Sequence, residues 1–259
     1  MVLNRLLRAL PTSDRDLLGQ SLHQVELRRG HVLEVTGQTT EHAYFPETGL
    51  VVVVASSAHW SIAVGVVGND GMTGLDLVQG AGRAANETVV QAAGTALRID
   101  ARALMRAQKQ SPTLRNMLLS YAHVFMVQAS QTALTSGHAN MEERLARWIL
   151  MSHDRQEGDH LHVTHDFIAL MLGFRRPGIT VALHSLERRR LIKSTRDDIH
   201  VLGRQGLIDL ASGSYGVCEA EYERLIDATL RKRRALSSVR RIVGPSQVRG
   251  VAATRRSGP

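Results

Sequence analysis

The chain has 259 residues, 43% of them hydrophobic and 22% charged, with one cysteine and a formal net charge of +8. That length and composition suit one large or two modest globular domains and exclude wholesale disorder. Its uninterrupted apolar runs, such as Leu50 to Ala55, are far too short for a bilayer span. Arg5 and Arg8 interrupt the apolar amino terminus, so no secretory pattern is expected and a cytoplasmic protein is. The lone cysteine, Cys218, excludes an internal disulfide and any four-cysteine zinc or iron–sulfur site.

The charge is not evenly spread. Residues 231–259 carry nine Arg or Lys and no acid, which leaves 23 basic against 24 acidic residues in the rest. The tail mixes Gly, Ser, Pro and Arg without apolar periodicity. It is expected to be a disordered basic arm, either merely solvated or attracted to phosphates.

Along the chain, Leu3, Leu6, Leu7 and Leu10 form a helical stripe that Pro11 ends. Ser13 and Asp16 resemble a capping pair for a second short helix reaching about Leu22. From Val25 to about Ile99, β-branched stretches (Val51 to Val54, Ile62 to Val67, Thr88 to Val90, Ala96 to Ile99) alternate with glycine turns. Several short strands at near-regular spacing predict a small antiparallel barrel or roll. Asp100 is placed to cap a helix over Ala101 to Gln110.

After Ser111 and Pro112 a long helix is predicted to about Thr135. Leu114, Leu118, Tyr121 and Phe125 recur at steps of four and three, and Gln128 and Thr132 continue the register. A core helix would show the first half of that stripe; the length and the polar continuation favour a helix–helix dimer seam. Ser136, Gly137 and His138 form a candidate hinge, and a helix with Leu145, Trp148, Ile149 and Met151 follows.

Residues 164–202 carry the most information. Thr164 stands where a helix amino-cap is expected, before the apolar Phe167, Ile168, Leu170, Met171 and Leu172. Gly173 supplies a turn, and a second helix runs from about Arg175 to Arg189. Leu191 to Lys193 and Ile199 to Leu202 then make a hairpin, as a wing would. Arg175 and Arg176 sit at the positive end of the second helix dipole, where cations are mildly unfavourable unless an anion is bound. Gly178 costs helix stability, but its missing side chain permits close approach to another surface. Residues 175–196 hold seven basic residues and one acid, Glu187. A solvated basic face is the bland alternative; the wing and the glycine turn argue for DNA.

The whole arrangement resembles the Crp/Fnr superfamily of bacterial transcription regulators over roughly residues 4–230. The carriers are Ala43 to Leu50 (AYFPETGL), Glu143 to Trp148 (ERLARW) and, most specifically, residues 164–202. The similarity is greatest to a branch with a Tyr-Phe-Pro-Glu-Ser/Thr-Gly turn. The resemblance implies an α+β fold: an antiparallel, cyclic-nucleotide-binding-like β-roll over 1–110, a dimerisation helix and hinge over 111–137, and a winged helix-turn-helix over 138–230. It implies a homodimer on pseudo-palindromic double-stranded DNA, with RNA polymerase as a further partner and no membrane. Arg175, Arg176 and Thr180 would enter the major groove, while Thr164, Lys193 and Arg196 would hold phosphates. Family members often carry an acid after the groove arginine; Pro177 stands there in this chain, so the usual operator does not carry over.

The sensor half departs from the cyclic-AMP pattern. Met72 to Leu77 lacks the Gly-Glu-Leu turn, and Arg83 is followed by alanines rather than by a hydroxyl residue. Arg83 is therefore a weak candidate for a ligand clamp, and neither a cyclic nucleotide nor another cofactor is expected. Gly65, Gly68 and Gly71 lie between strands and suggest turns rather than a phosphate loop. His153, His160, His162 and His165 lack a metal-binding spacing, and no catalytic constellation is visible, so an enzyme is not expected. A cupin-like enzyme would need further ligands beside His42 and His59. A nucleoid-type binder would depend on the basic tail.

Overall fold

The computed structural model describes residues 2–228; the basic tail at 231–259 lies outside them. Two short helices, α1 (Arg5–Ala9) and α2 (Thr12–Gly19), precede seven strands: β1 (His23–Leu27), β2 (Val32–Glu34), β3 (His42–Pro46), β4 (Leu50–Ser56), β5 (Ser61–Val67), β6 (Glu87–Ala92) and β7 (Gly94–Asp100). A single turn of helix, α3 (Leu75–Gln79), interrupts them. The strands form two antiparallel sheets, β1-β7-β3 and β2-β6-β4-β5, which is the expected roll. Helices α4 (Ala101–Gln110) and α5 (Pro112–His138) lead to α6 (Met141–His153). The last part holds β8 (His160–Leu161), α7 (His165–Leu172), α8 (Arg176–Arg188), β9 (Ile192–Ser194), β10 (Ile199–Val201), α9 (Arg204–Leu210) and α10 (Val217–Tyr222), with a π-helical turn at Glu223–Asp227. No helix among the described residues is long and apolar enough to cross a membrane.

The valine run of β4 follows from what lies on each of its faces. Val51, with Val67 and Val90, fills the interior of the roll beside Leu27 and Ala96. Leu50, Val52 and Val54 point the other way, into a core shared with Leu145, Trp148, Leu161, Ile168 and Leu172. A strand buried on both faces loses polar alternation and becomes uniformly apolar. The outer sheet of the roll is thus the floor on which the carboxy-terminal half packs.

Three local expectations are corrected. Ser13 and Asp16 do not cap α2: Pro11 occupies the cap position, and the nearby acid that is buried is Asp14, which accepts a bond from the Ser111 hydroxyl at 2.7 Å. Asp100 stands at the cap of α4 but makes no side-chain cap bond; it pairs with His42 at 3.1 Å. The proposed hinge is helical, because α5 continues through His138 and the chain breaks at Ala139, before Asn140 and Glu143 form a capping box for α6.

A fourth correction concerns the dimer seam. Leu114, Leu118 and Tyr121 are buried inside their own chain, among Leu6, Phe45, Met72 and Tyr222. Phe125 packs against the roll interior. Gln128 is buried and bonds both ways to the Val66 backbone, accepting at 2.5 Å and donating at 3.3 Å. Thr132 receives a bond from Arg147 at 3.2 Å. The stripe is real, but the roll and α6 already occupy it; its polar half meets a strand edge and an arginine rather than a second helix.

Candidate nucleic-acid interface

The two helices of the motif are set by ordinary capping. Thr164 receives the Phe167 N–H at 3.3 Å, which starts α7. Gly173, at φ 66°, ends it in the left-handed conformation that glycine adopts without strain. Arg144 then donates to the Leu172 carbonyl at 2.5 Å and lies 4.5 Å over the Phe174 ring, fixing the turn from α6. Burial lowers the Arg144 pKa.

Helix α8 begins with Arg175 at the cap position and Pro177 in the first turn, where its missing N–H costs nothing. Ile179, Ala182, Leu183 and Leu186 are buried against the core. Arg175, Arg176, Pro177, Val181, His184 and Arg188 are exposed, with Val181 at 67%. A helix with one face sunk in the core and the other basic and open is suited to lie in a groove. Gly178 faces inward: a Cβ there would come within 2.7 Å of the Met141 methyl, so its close approach is to α6 and not to an outside surface. Thr180 is half-buried, and its hydroxyl donates back to the Arg176 carbonyl at 3.3 Å.

The first turn of α7 is where the candidate residues meet. Asp166 pairs with Arg176 at 3.2 Å, joining the starts of the two helices. His165 reaches the Ser194 hydroxyl at 3.3 Å, which brings β9 and its exposed neighbour Lys193 beside Thr164. Glu187, near the end of α8, accepts the Ser194 N–H at 2.7 Å and pairs with His184 at 3.0 Å, tying helix to wing. The Ser194 amide, followed by His184, holds the Glu187 carboxyl below its usual range. Arg196 is exposed in the β9–β10 turn. Among the described residues Arg175, Arg188, Lys193 and Arg196 have no carboxylate partner. Arg29, from the turn after β1, adds a contact that sequence reasoning missed; its guanidinium stands 3.5 Å from the Thr164 hydroxyl. Only the fold brings these two residues together.

A second set of arginines holds this half to the roll. Arg155 and Asp70 form an ion pair at 3.0 Å, with side chains only 5% and 8% exposed. Burial alone would lower the Arg155 pKa; Asp70, then Glu219, outweigh it and raise the group above ordinary arginine. Arg147 donates to the Ser214 carbonyl at 2.9 Å and to Thr132 on α5. Gly68 and Gly71 close a turn, as expected, with the Gly71 N–H donating to the Gly68 carbonyl at 3.1 Å, whereas Gly65 lies within β5. All three also make room: an added Cβ would lie 2.6 Å from Phe125, 2.5 Å from Arg155 and 1.8 Å from the Tyr121 hydroxyl, respectively.

Arg83 is exposed, pairs through its backbone with Thr39, and lines a groove that shares Glu34 and Ala84 with the cavity between the roll and α5. No group of three or more potential ligands suited to a metal occurs among the described residues.

Residues 143–210 match the family described as the Crp-like helix-turn-helix domain. The fold is similar to that of a transcriptional regulator of the Crp/Fnr family from Eubacterium rectale, at 18% identity and a TM-score of 0.62, over 80% of this chain and 98% of that one. It is also similar to FixK2 from Bradyrhizobium japonicum, at 16% identity and a TM-score of 0.64, over 73% and 96% of the two chains. The c-di-GMP responsive global regulator CLP of Xanthomonas campestris gives 13% identity and a TM-score of 0.61, over 74% and 100%. No curated protein matches the chain by sequence. The chain is Crp/Fnr-like, with a Crp-like helix-turn-helix domain in its carboxy-terminal half and the fold of those regulators around it.

Proposed function

We propose that this protein regulates transcription by binding double-stranded DNA as a homodimer, with α8 in the major groove and the β9–β10 wing on the backbone. The observation that carries this is the open basic face of α8, joined through the first turn of α7 to Thr164 and to the wing. Arg175 and Arg176 would read base edges, and Lys193, Arg196 and Thr164 would hold phosphates. A two-fold dimer would place two copies of α8 about one DNA turn, roughly 34 Å, apart on a pseudo-palindromic site.

The seam for that dimer is the opposite face of α5 from the one the sequence stripe suggested. Met126 and Leu134 are 55% and 54% exposed there. Leu119, Ser130, Ala133 and Gly137 continue the strip at coiled-coil spacing, and its small residues let backbones approach. The roll serves as the sensor half. RNA polymerase is the partner that this reading implies, as for regulators of this fold.

Selection of genomic fragments at fixed, physiological salt tests the proposal, comparing the full chain with an Arg175→Ala, Arg176→Ala variant. The expected result is a two-fold-symmetric site that the variant fails to enrich. Salt-sensitive binding without a shared site, unchanged in the variant, would overturn it and assign binding to the basic tail.

A further inference from the structure

We propose that Asp166, in the first turn of α7, is a positioning residue for sequence discrimination: it holds Arg176 ready for a guanine edge and keeps it from settling on the phosphate backbone. This rests on the DNA-binding reading given above and deepens it, since it assigns a role to an acid that the reading left as a link between two helices.

The two arginines at the start of α8 differ in one respect. Arg175 meets no carboxylate, whereas Arg176 is paired with Asp166 across the turn between the helices. Asp166 Oδ1 lies 3.2 Å from Arg176 Nε, so the carboxylate flanks the inner edge of the guanidinium. The two terminal nitrogens make no hydrogen bond within the described residues. Together they form the fork that matches O6 and N7 of guanine. A guanidinium held by its inner edge can present that fork end-on.

Stability does not account for the pair. The two side chains are 60% and 67% exposed, and an ion pair in solvent adds little to folding. The junction is already closed beneath it, because Ile168, Leu172, Ile179 and Leu183 are all buried in one core. The helix dipole favours an acid in the first turn of α7, but that preference needs no arginine opposite.

Charge leads to the same role. Asp166 stands between Thr164 and the start of α8, on the face that would meet DNA. A carboxylate there repels phosphates and weakens binding to every sequence alike. A surface built for phosphate alone gains nothing from it. Discrimination does: an arginine without the acid can pair with the nearest phosphate, while one beside it finds its acceptors at a base edge.

The test compares the full chain with Asp166→Asn, Arg176→Ala and the double variant. Each is taken through fragment selection at fixed salt, and through binding to the selected site and to an unrelated duplex over a range of salt. Asp166→Asn is expected to bind the selected site about tenfold more weakly and to lose a guanine preference at one position of each half-site. It should bind the unrelated duplex more tightly and steepen the salt dependence by about one, as Arg176 turns to a phosphate. With Arg176→Ala already present, Asp166→Asn should cost no further affinity for the selected site. Asp166→Ser, which also removes the charge, serves if Asp166→Asn fails to fold. Equal weakening of both duplexes, which a merely structural role predicts, would overturn the inference, as would additive effects of the two substitutions. Selection of an unchanged site by Asp166→Asn removes this inference alone, whereas a native chain that selects no site removes the DNA reading as well.

Discussion

Two groups of arginines with nearly the same sequence appearance have opposite fates in this molecule. Arg144, Arg147 and Arg155, on and just after α6, each find partners inside the chain: a helix carboxyl end, the Ser214 carbonyl with Thr132, and Asp70. Arg175, Arg188 and Arg196, on α8 and the wing, stay in solvent without a carboxylate. Guanidinium groups are costly to bury, so a chain buries them only where it also builds the acceptors. Those left outside keep their donors available, and a phosphate or a guanine edge matches them in geometry. The first group is structural and the second recognises. What separates them is whether the fold has already supplied the anion.

The largest effect should come from unbalancing the buried pair. Arg155→Met alone leaves Asp70 charged and enclosed, and should cost about 3–5 kcal/mol in urea unfolding. Adding Asp70→Asn removes the stranded charge and should recover much of that loss. A double variant as unstable as the sum of the two singles would show that the pair is not the source. On the recognition side, the effect should appear in binding and leave folding alone. Arg175→Ala should cost about 1–3 kcal/mol of affinity for the selected site, relax sequence preference there, and shift stability by less than about 0.5 kcal/mol. Lys193→Ala and Arg196→Ala should instead weaken all sequences alike, each lowering the salt slope by about one. If Arg175→Ala unfolds the protein while Arg155→Met spares it, the contrast fails.

The sequence makes the recognition group legible because its evidence is local. Cap, glycine turn, buried stripe and wing lie within residues 164–202, and short-range rules place each one. The roll was legible from its β-branched runs for the same reason, although α3 is a single turn and leaves no periodicity to find. What could not be read were pairings distant in sequence, such as Asp70 with Arg155 or Arg29 with Thr164. The seam on α5 shows how a correct pattern can be given the wrong partner. The period established that Leu114 to Thr132 share a face, and nothing in it distinguished a second copy of the helix from the chain's own roll. Gly65 makes the point from the other side, since it is small so that Phe125 and Gln128 can sit against it.

The smallest effect lies within the recognition group, at Glu187, which ties its helix to its wing. Its carboxylate joins α8 to β9, and the Ser194 amide, then His184, depress its pKa. A carboxyl whose pKa falls on folding contributes stability above its unfolded value, near 4.3, and loses it as pH drops through the lower folded value. The wing should therefore stay pinned from neutral pH to about 4.3 and loosen only below that. Glu187 is largely solvent-screened, so Glu187→Gln, which keeps an acceptor for the amide, should cost only a few tenths of a kcal/mol. Amide exchange at Ser194 as a function of pH reads this directly: protection in the native chain should fall with a midpoint below 4.3 and lose that step in Glu187→Gln. A midpoint at or above the ordinary glutamate value would mean that the wing is held by packing alone. The recognition helix and the wing would then meet DNA as separately mobile parts, not as one preset surface.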